Sequence, residues 1–171
     1  GLDPQGDMYI SDGYGNARVH KFSATGELLF SWGSPGKTAP GEFHVPHGVW
    51  VHTDGRVFVA DRENNRIQIF SQSGEFIDEW RQFGRPSGIY FSPDDTIYVA
   101  DSESGPDTGA GELMDIMKGI RIGSAVDGTV TAFIEDMEPL RDDHSGAEGV
   151  AVDAHGNVYG AVVRRQMLER H

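Results

Sequence analysis

The chain predicts an all-β fold of repeated four-stranded antiparallel units, and three observations carry that expectation. Short runs alternate apolar and polar residues, the mark of half-buried strands. One run, Met8-Tyr9-Ile10-Ser11-Asp12, returns as Val57-Phe58-Val59-Ala60-Asp61 and as Ile97-Tyr98-Val99-Ala100-Asp101. Its terminal aspartates lie about 40 to 50 residues apart, the period of a propeller blade rather than of a helical solenoid. The expected architecture is a β-propeller.

Each element follows in order. The repeated run is the second strand of its unit, and Val158-Tyr159-Gly160-Ala161 is a fourth copy with Val162 in place of the aspartate. Third strands are expected at Ala17–Phe22, Arg66–Phe70 and Gly119–Ile122. Fourth strands are expected at Leu28–Trp32, Phe76–Trp80 and Val130–Phe133. Gln5-Gly6, Asp54-Gly55, Asp94-Asp95 and His155-Gly156 separate first strands from second. Thr25-Gly26, Ser73-Gly74 and Asp127-Gly128 separate third from fourth. Glycine supplies the positive φ that tight hairpins need. The blades read as 1–33, 43–84, 85–136 and a partial 145–171.

The first kind of turn occurs once more than the second, so the chain starts inside a first strand and runs out in a third. Open strand edges invite association, and propellers close to remove them. The expectation is therefore a single propeller domain lacking N-terminal blades, with about four blades here out of a six-bladed ring. Missing blades or another chain would cover the open edges. A complete four-bladed propeller is the alternative.

Composition narrows the partners. With 171 residues, 37% hydrophobic residues and 23 glycines, the chain suits one turn-rich β domain. A net charge of −13 opposes nucleic acid and anionic membranes, which require a cationic footprint. No cysteine is present, which excludes disulfides and thiolate-bound zinc. No apolar run has the length of a membrane span.

The segment Asp61-Arg62-Glu63-Asn64-Asn65-Arg66-Ile67-Gln68-Ile69-Phe70 resembles an NHL repeat. Ser11-Asp12-Gly13-Tyr14-Gly15-Asn16-Ala17-Arg18, Val45-Pro46-His47-Gly48 and Ala60-Asp61-Arg62-Glu63-Asn64 are similar to the peptidyl-α-hydroxyglycine α-amidating lyase family. The likeness is strong over residues 7–80 and beyond them reaches only the bacterial branch. It implies a secreted or periplasmic bacterial protein.

Blade geometry places candidates independently. Loops from second to third strands share a face with the entry to first strands, so Tyr14, His47 and Arg62 should lie on one face. His47 should stand nearest the axis, and Glu148 holds its position two blades later. Such positions converge on a channel mouth suited to a metal or a small-molecule or peptide ligand. Each residue has a plainer role open to it. His47 after Pro46 can cap a strand, Tyr14 can be an exposed aromatic, and Arg62 can pair with a neighbouring carboxylate. The other histidines, His20, His44, His52, His144, His155 and His171, read as ordinary surface residues.

The resemblance implies sharper roles. In the lyase, three histidines hold zinc, a tyrosine is base on the substrate hydroxyl, and an arginine holds the reacting group. The products are a peptide amide and glyoxylate. Tyr14 matches the tyrosine, Arg62 an arginine and His47 a zinc ligand. A phenol titrates near pH ~10, so a tyrosine base needs nearby positive charge, which Arg62 or a metal supplies. Glu148 replaces another zinc histidine, and glutamate can also ligate zinc. Gly149 replaces a calcium-binding aspartate, which argues against structural calcium.

Between Ser102 and Gly119 a longer stretch interrupts the repeat. It should overhang the candidate face, with a mobile Gly/Pro half and with Leu113, Ile116 and Met117 packing as a short helical turn. Three functions stay open: a metal-dependent lyase of this kind, a noncatalytic NHL-type binding module, and a gluconolactonase-like metal hydrolase.

Overall fold

The computed structural model describes residues 1–105, 116–140 and 145–171. Most of the long stretch after Ser102, and His144, lie outside the described residues. Antiparallel sheets dominate the chain, which divides into two compact units, Gly1–Trp80 and Arg81–His171.

The first unit opens with the three-stranded sheet β1 (Met8–Asp12), β2 (Arg18–Phe22) and β3 (Leu28–Trp32). Leu2 bridges Met8 ahead of it. Two short strands follow, β4 (Ser34–Pro35) and β5 (Glu42–Phe43), paired in parallel. A full four-stranded sheet comes next, built from β6 (Pro46–Val51), β7 (Val57–Asp61), β8 (Arg66–Phe70) and β9 (Phe76–Trp80). A single 3-10 turn, Arg62–Asn64, joins β7 to β8.

The second unit repeats the pattern. Strands β10 (Pro86–Phe91), β11 (Thr96–Asp101), β12 (Gly119–Ser124) and β13 (Val130–Glu135) form a four-stranded sheet. Strands β14 (Ala147–Val152), β15 (Val158–Val162) and β16 (Met167–Arg170) form a three-stranded one. All neighbours within these sheets pair antiparallel, in chain order. The fold is the propeller type that the repeats predict.

Burial explains why the middle strands repeat so faithfully. Every residue of β7 and β8 is buried, whereas four of the five residues of β9 are not. Val57 and Val59 join Tyr9, Val19, Val51 and Phe70 in one cluster between the two larger sheets of the first unit. Full burial of such a side chain stabilises by about 1.5–3 kcal/mol. In the second unit Ala100 and Ile120 pack with Ala147, Val158 and Val162. Turn glycines behave as anticipated, with Gly55 and Gly74 at φ +91° and +83°; Asp95 takes the same left-handed region at φ +60° without glycine's freedom.

Candidate functional site

The candidate face of the first unit is built by two corners and one strand entry. The first corner, between β1 and β2, starts at Asp12, whose Oδ2 accepts a hydrogen bond from Asn16 Nδ2 at 2.6 Å. That bond holds the Asp12 carboxyl below its ordinary range. Ala17, at φ +52°, turns the chain into β2. A methyl group on Gly13 would stand 2.5 Å from the Pro46 carbonyl oxygen, so the corner lies directly against the start of β6. Tyr14, next in sequence, is left 79% exposed.

The second corner, between β7 and β8, has the same plan in a buried setting. Asp61 accepts hydrogen bonds from the His44 backbone N–H at 2.7 Å, Asn64 Nδ2 at 2.8 Å and Arg66 Nε at 2.8 Å. Gln68 Nε2 donates to it as well, at 3.1 Å. Burial pushes the Asp61 carboxyl up, and these donors oppose the shift. Arg66, fully buried, spends its remaining donors on Glu79 and on the carbonyls of Thr38, Ala39 and Glu42. A buried guanidinium is tolerated when its donors are satisfied in this way. Arg62 rides on this fixed corner. Its backbone N–H donates to the Val45 carbonyl at 3.3 Å, and its Nε donates to Glu63 at 3.2 Å.

His47 enters by a different device. Pro46 pairs with Asp61 and Gly48 with Ala60, which leaves His47 as the extra residue of a β-bulge. Bulges re-aim a side chain out of the regular alternation. Ser11 Oγ donates to the His47 carbonyl at 3.3 Å and ties the bulge to β1.

The three predicted residues of this unit come together. The Tyr14 and His47 rings meet edge to face, with centroids 6.1 Å apart and planes at 71°. The Arg62 guanidinium carbon lies 5.8 Å from the Tyr14 ring centroid, within cation–π reach. Arg62 is buried, at 7% exposure, and His47 half-buried. In such an arrangement an ionised phenol can accept a proton, and the guanidinium can place positive charge against a developing oxyanion. The plainer role anticipated for Arg62 is also real, since it pairs with Glu63.

Glu148 lies in the second unit, at a bulge of the same construction. Ala147 pairs with Val162 and Gly149 with Ala161, with Glu148 between them. A third bulge falls at Ser87, between Pro86 and Gly88. Ser87 is missing from the sequence expectations, although Pro86-Ser87-Gly88 copies Pro46-His47-Gly48. It is buried, and its Oγ lies 2.6 Å from Ser102 Oγ. His52 departs from its expected surface position. It is 5% exposed, beside Phe58 and 3.1 Å from Asp54.

The fit to a metal is partial. Among the described residues no three His, Asp or Glu side chains gather around a common point suited to an ion. At the position where the resemblance implies a calcium-binding aspartate, Gly149 has no side-chain carboxylate.

Comparison with known proteins adds to this geometry. The NHL repeat family model matches residues 43–70 and 83–105. The chain carries NHL repeats. It is 31% identical to peptidyl-glycine alpha-amidating monooxygenase B of Xenopus laevis over 91% of this chain and 19% of that protein. Against human NHL repeat-containing protein 3 it is 40% identical over 54% of this chain and 28% of that one. It is 37% identical to peptidyl-alpha-hydroxyglycine alpha-amidating lyase 1 of Drosophila melanogaster, over 44% of this chain and 16% of that one. The chain thus spans between a sixth and a third of the length of these relatives. Among solved structures, the RRP9 WD40 repeats superpose with a TM-score of 0.62 at 13% identity, covering 99% of this chain and 49% of that one. WD40 repeats form propellers, and the likeness concerns the fold alone. No helix among the described residues is long and apolar enough to cross a membrane.

Proposed function

We propose that the face carrying Tyr14, His47 and Arg62 belongs to a metal-dependent lyase that cleaves peptidyl-α-hydroxyglycine to a peptide amide and glyoxylate. The observation that supports this most is the meeting of three residues from separate elements, the phenol 6.1 Å from the imidazole ring and 5.8 Å from the guanidinium. Similarity to amidating monooxygenases and lyases supports it further.

The chemistry requires few groups. Tyr14, acting as its phenolate, takes the proton of the substrate hydroxyl, the oxygen lone pair forms the C=O of glyoxylate, and the C–N bond breaks. The departing amide nitrogen takes up a proton. Arg62, held by its corner, orients the substrate carboxylate or the oxygen that gains charge. His47 is proposed as one zinc ligand. Zinc, when bound, would supply Lewis acidity at the hydroxyl. Calcium does not enter the proposal, because Gly149 stands at that position.

A noncatalytic NHL-type ligand-binding module is the second reading, favoured by the similarity to NHL repeat-containing protein 3. Glyoxylate release from an α-hydroxyglycine peptide separates the two. Tyr14→Phe, which deletes only the titratable hydroxyl, should abolish release while leaving zinc content unchanged. His47→Ala should lower zinc content sharply. Wild-type rates in Tyr14→Phe, or protein lacking stoichiometric metal, would sink the lyase and leave the binding module.

A further inference from the structure

The connection between β3 and β6 forms one side of a cavity that the lyase chemistry leaves unused. The cavity has a volume of about 470 Å³, and Tyr14, Ala17, Lys37, Phe43 and His44 line it. Ligand pockets commonly span about 300–1,000 Å³. Tyr14 is thus shared: one part of its surroundings is His47 and Arg62, the other is this cavity. A ligand reacting at the phenol would place its adjoining group here.

The walls are built rather than loose. Glu42 Oε2 accepts hydrogen bonds from the backbone N–H groups of Lys37, Thr38 and Ala39 at 3.0–3.1 Å. Asn64 Nδ2 donates to the Gly36 carbonyl at 3.0 Å, and the His44 N–H is held by Asp61. Those bonds anchor the lysine-bearing loop to the buried corner of β7 and β8. A preformed wall reduces the ordering cost of binding.

Charge decides what the cavity takes. Besides Tyr14, its ionisable lining groups are Lys37 and His44, and no carboxylate faces it among the described residues. In a chain of net charge −13 the lining itself carries no carboxylate, and the adjoining Glu42 carboxylate is turned into the loop's own amides. Phe43 gives the cavity an apolar floor, fully buried beneath. We infer that this cavity is a side-chain subsite that selects a peptide with an acidic residue next to its reacting terminus, the carboxylate meeting Lys37 at the rim. The inference deepens the reading of the Tyr14 face as a peptide-binding face and rests on that reading.

Binding can be measured without turnover. Isothermal calorimetry of the full chain would compare N-acetyl-Glu-Gly, N-acetyl-Gln-Gly and N-acetyl-Lys-Gly. Because Lys37 is exposed, the glutamate peptide should bind roughly 1.5-fold to fivefold tighter than the glutamine one, with the lysine peptide weakest. Lys37→Met should erase that order and Lys37→Glu should invert it. Circular dichroism should show both variants folded. Equal affinities in the wild type, an order insensitive to Lys37, or no binding of any of the three overturns the subsite. Glyoxylate release from an alanyl-α-hydroxyglycine peptide is read in parallel. Selectivity without release removes the lyase and keeps the subsite, whereas release without selectivity does the reverse.

Discussion

The corner after β1 and the corner after β7 share a sequence plan and differ in almost everything else. Both begin with aspartate, place an asparagine whose amide returns to that aspartate, and pass through a left-handed residue, Ala17 or Asn65. Both then reach an arginine that opens the next strand. Yet Asp61 and Arg66 are wholly buried and bonded to each other, whereas Arg18 is exposed. The buried corner is structural and carries Arg62 as a fixed group. The open corner locates Tyr14 by the close approach at Gly13 and by ring contacts with His47 and Arg62. One repeat motif therefore serves as a lock in one place and as a display in another.

The contrast predicts a large asymmetry in stability. Arg66→Met strands the buried Asp61 carboxylate and should cost about 3–5 kcal/mol, read as a fall in the denaturation midpoint. Arg18→Met should stay within about 0.5 kcal/mol, as surface changes do. Adding Asp61→Asn to Arg66→Met should recover part of the loss; no recovery would mean the pair is not the lock. Gly13→Ala comes next. Its methyl group meets the Pro46 carbonyl, and such crowding costs about 1–3 kcal/mol. Tyrosine near-ultraviolet dichroism should change more than the far-ultraviolet signal, because the displaced group is Tyr14.

Smaller effects sharpen the comparison. Asn64→Ala removes donors to both Asp61 and the Gly36 carbonyl and should cost about 1 kcal/mol. The smallest is electrostatic. Asn16 favours the charged form of Asp12 and lowers its folded-state pKa. That contribution is present above the ordinary carboxylate value and is lost as pH falls through the lowered one. Asp12→Asn should therefore flatten the acid limb of an unfolding-versus-pH curve slightly, and an unchanged limb would remove Asp12 from the account.

Much of the fold is readable before any coordinates. Alternation and turn residues place β1, β7, β11 and β15 to within a residue, because each is a short alternating run that follows a hairpin turn. The meeting of Tyr14, His47 and Arg62 is also legible, since blade geometry puts strand-two exits beside strand-one entries. The bulges at His47, Ser87 and Glu148 are not. They depend on backbone register, which apolar spacing reports only coarsely, and Ser87 lacks a side chain that draws attention to chemistry. The folded-back connection holding Lys37 is equally hidden. Its order comes from Glu42 bonding backbone amides, and a glutamate in a Gly/Pro-rich stretch reads simply as solvated.

That glutamate has a consequence for engineering. Three convergent backbone amides make a concavity that ordinarily attracts phosphate or sulfate, and here the protein fills it with its own carboxylate. Glu42 is in effect a tethered occupant at very high local concentration. Truncating it to alanine would empty the seat, and the loop would become a receptor for soluble oxyanions, its order now tuned by the buffer in which the protein is kept.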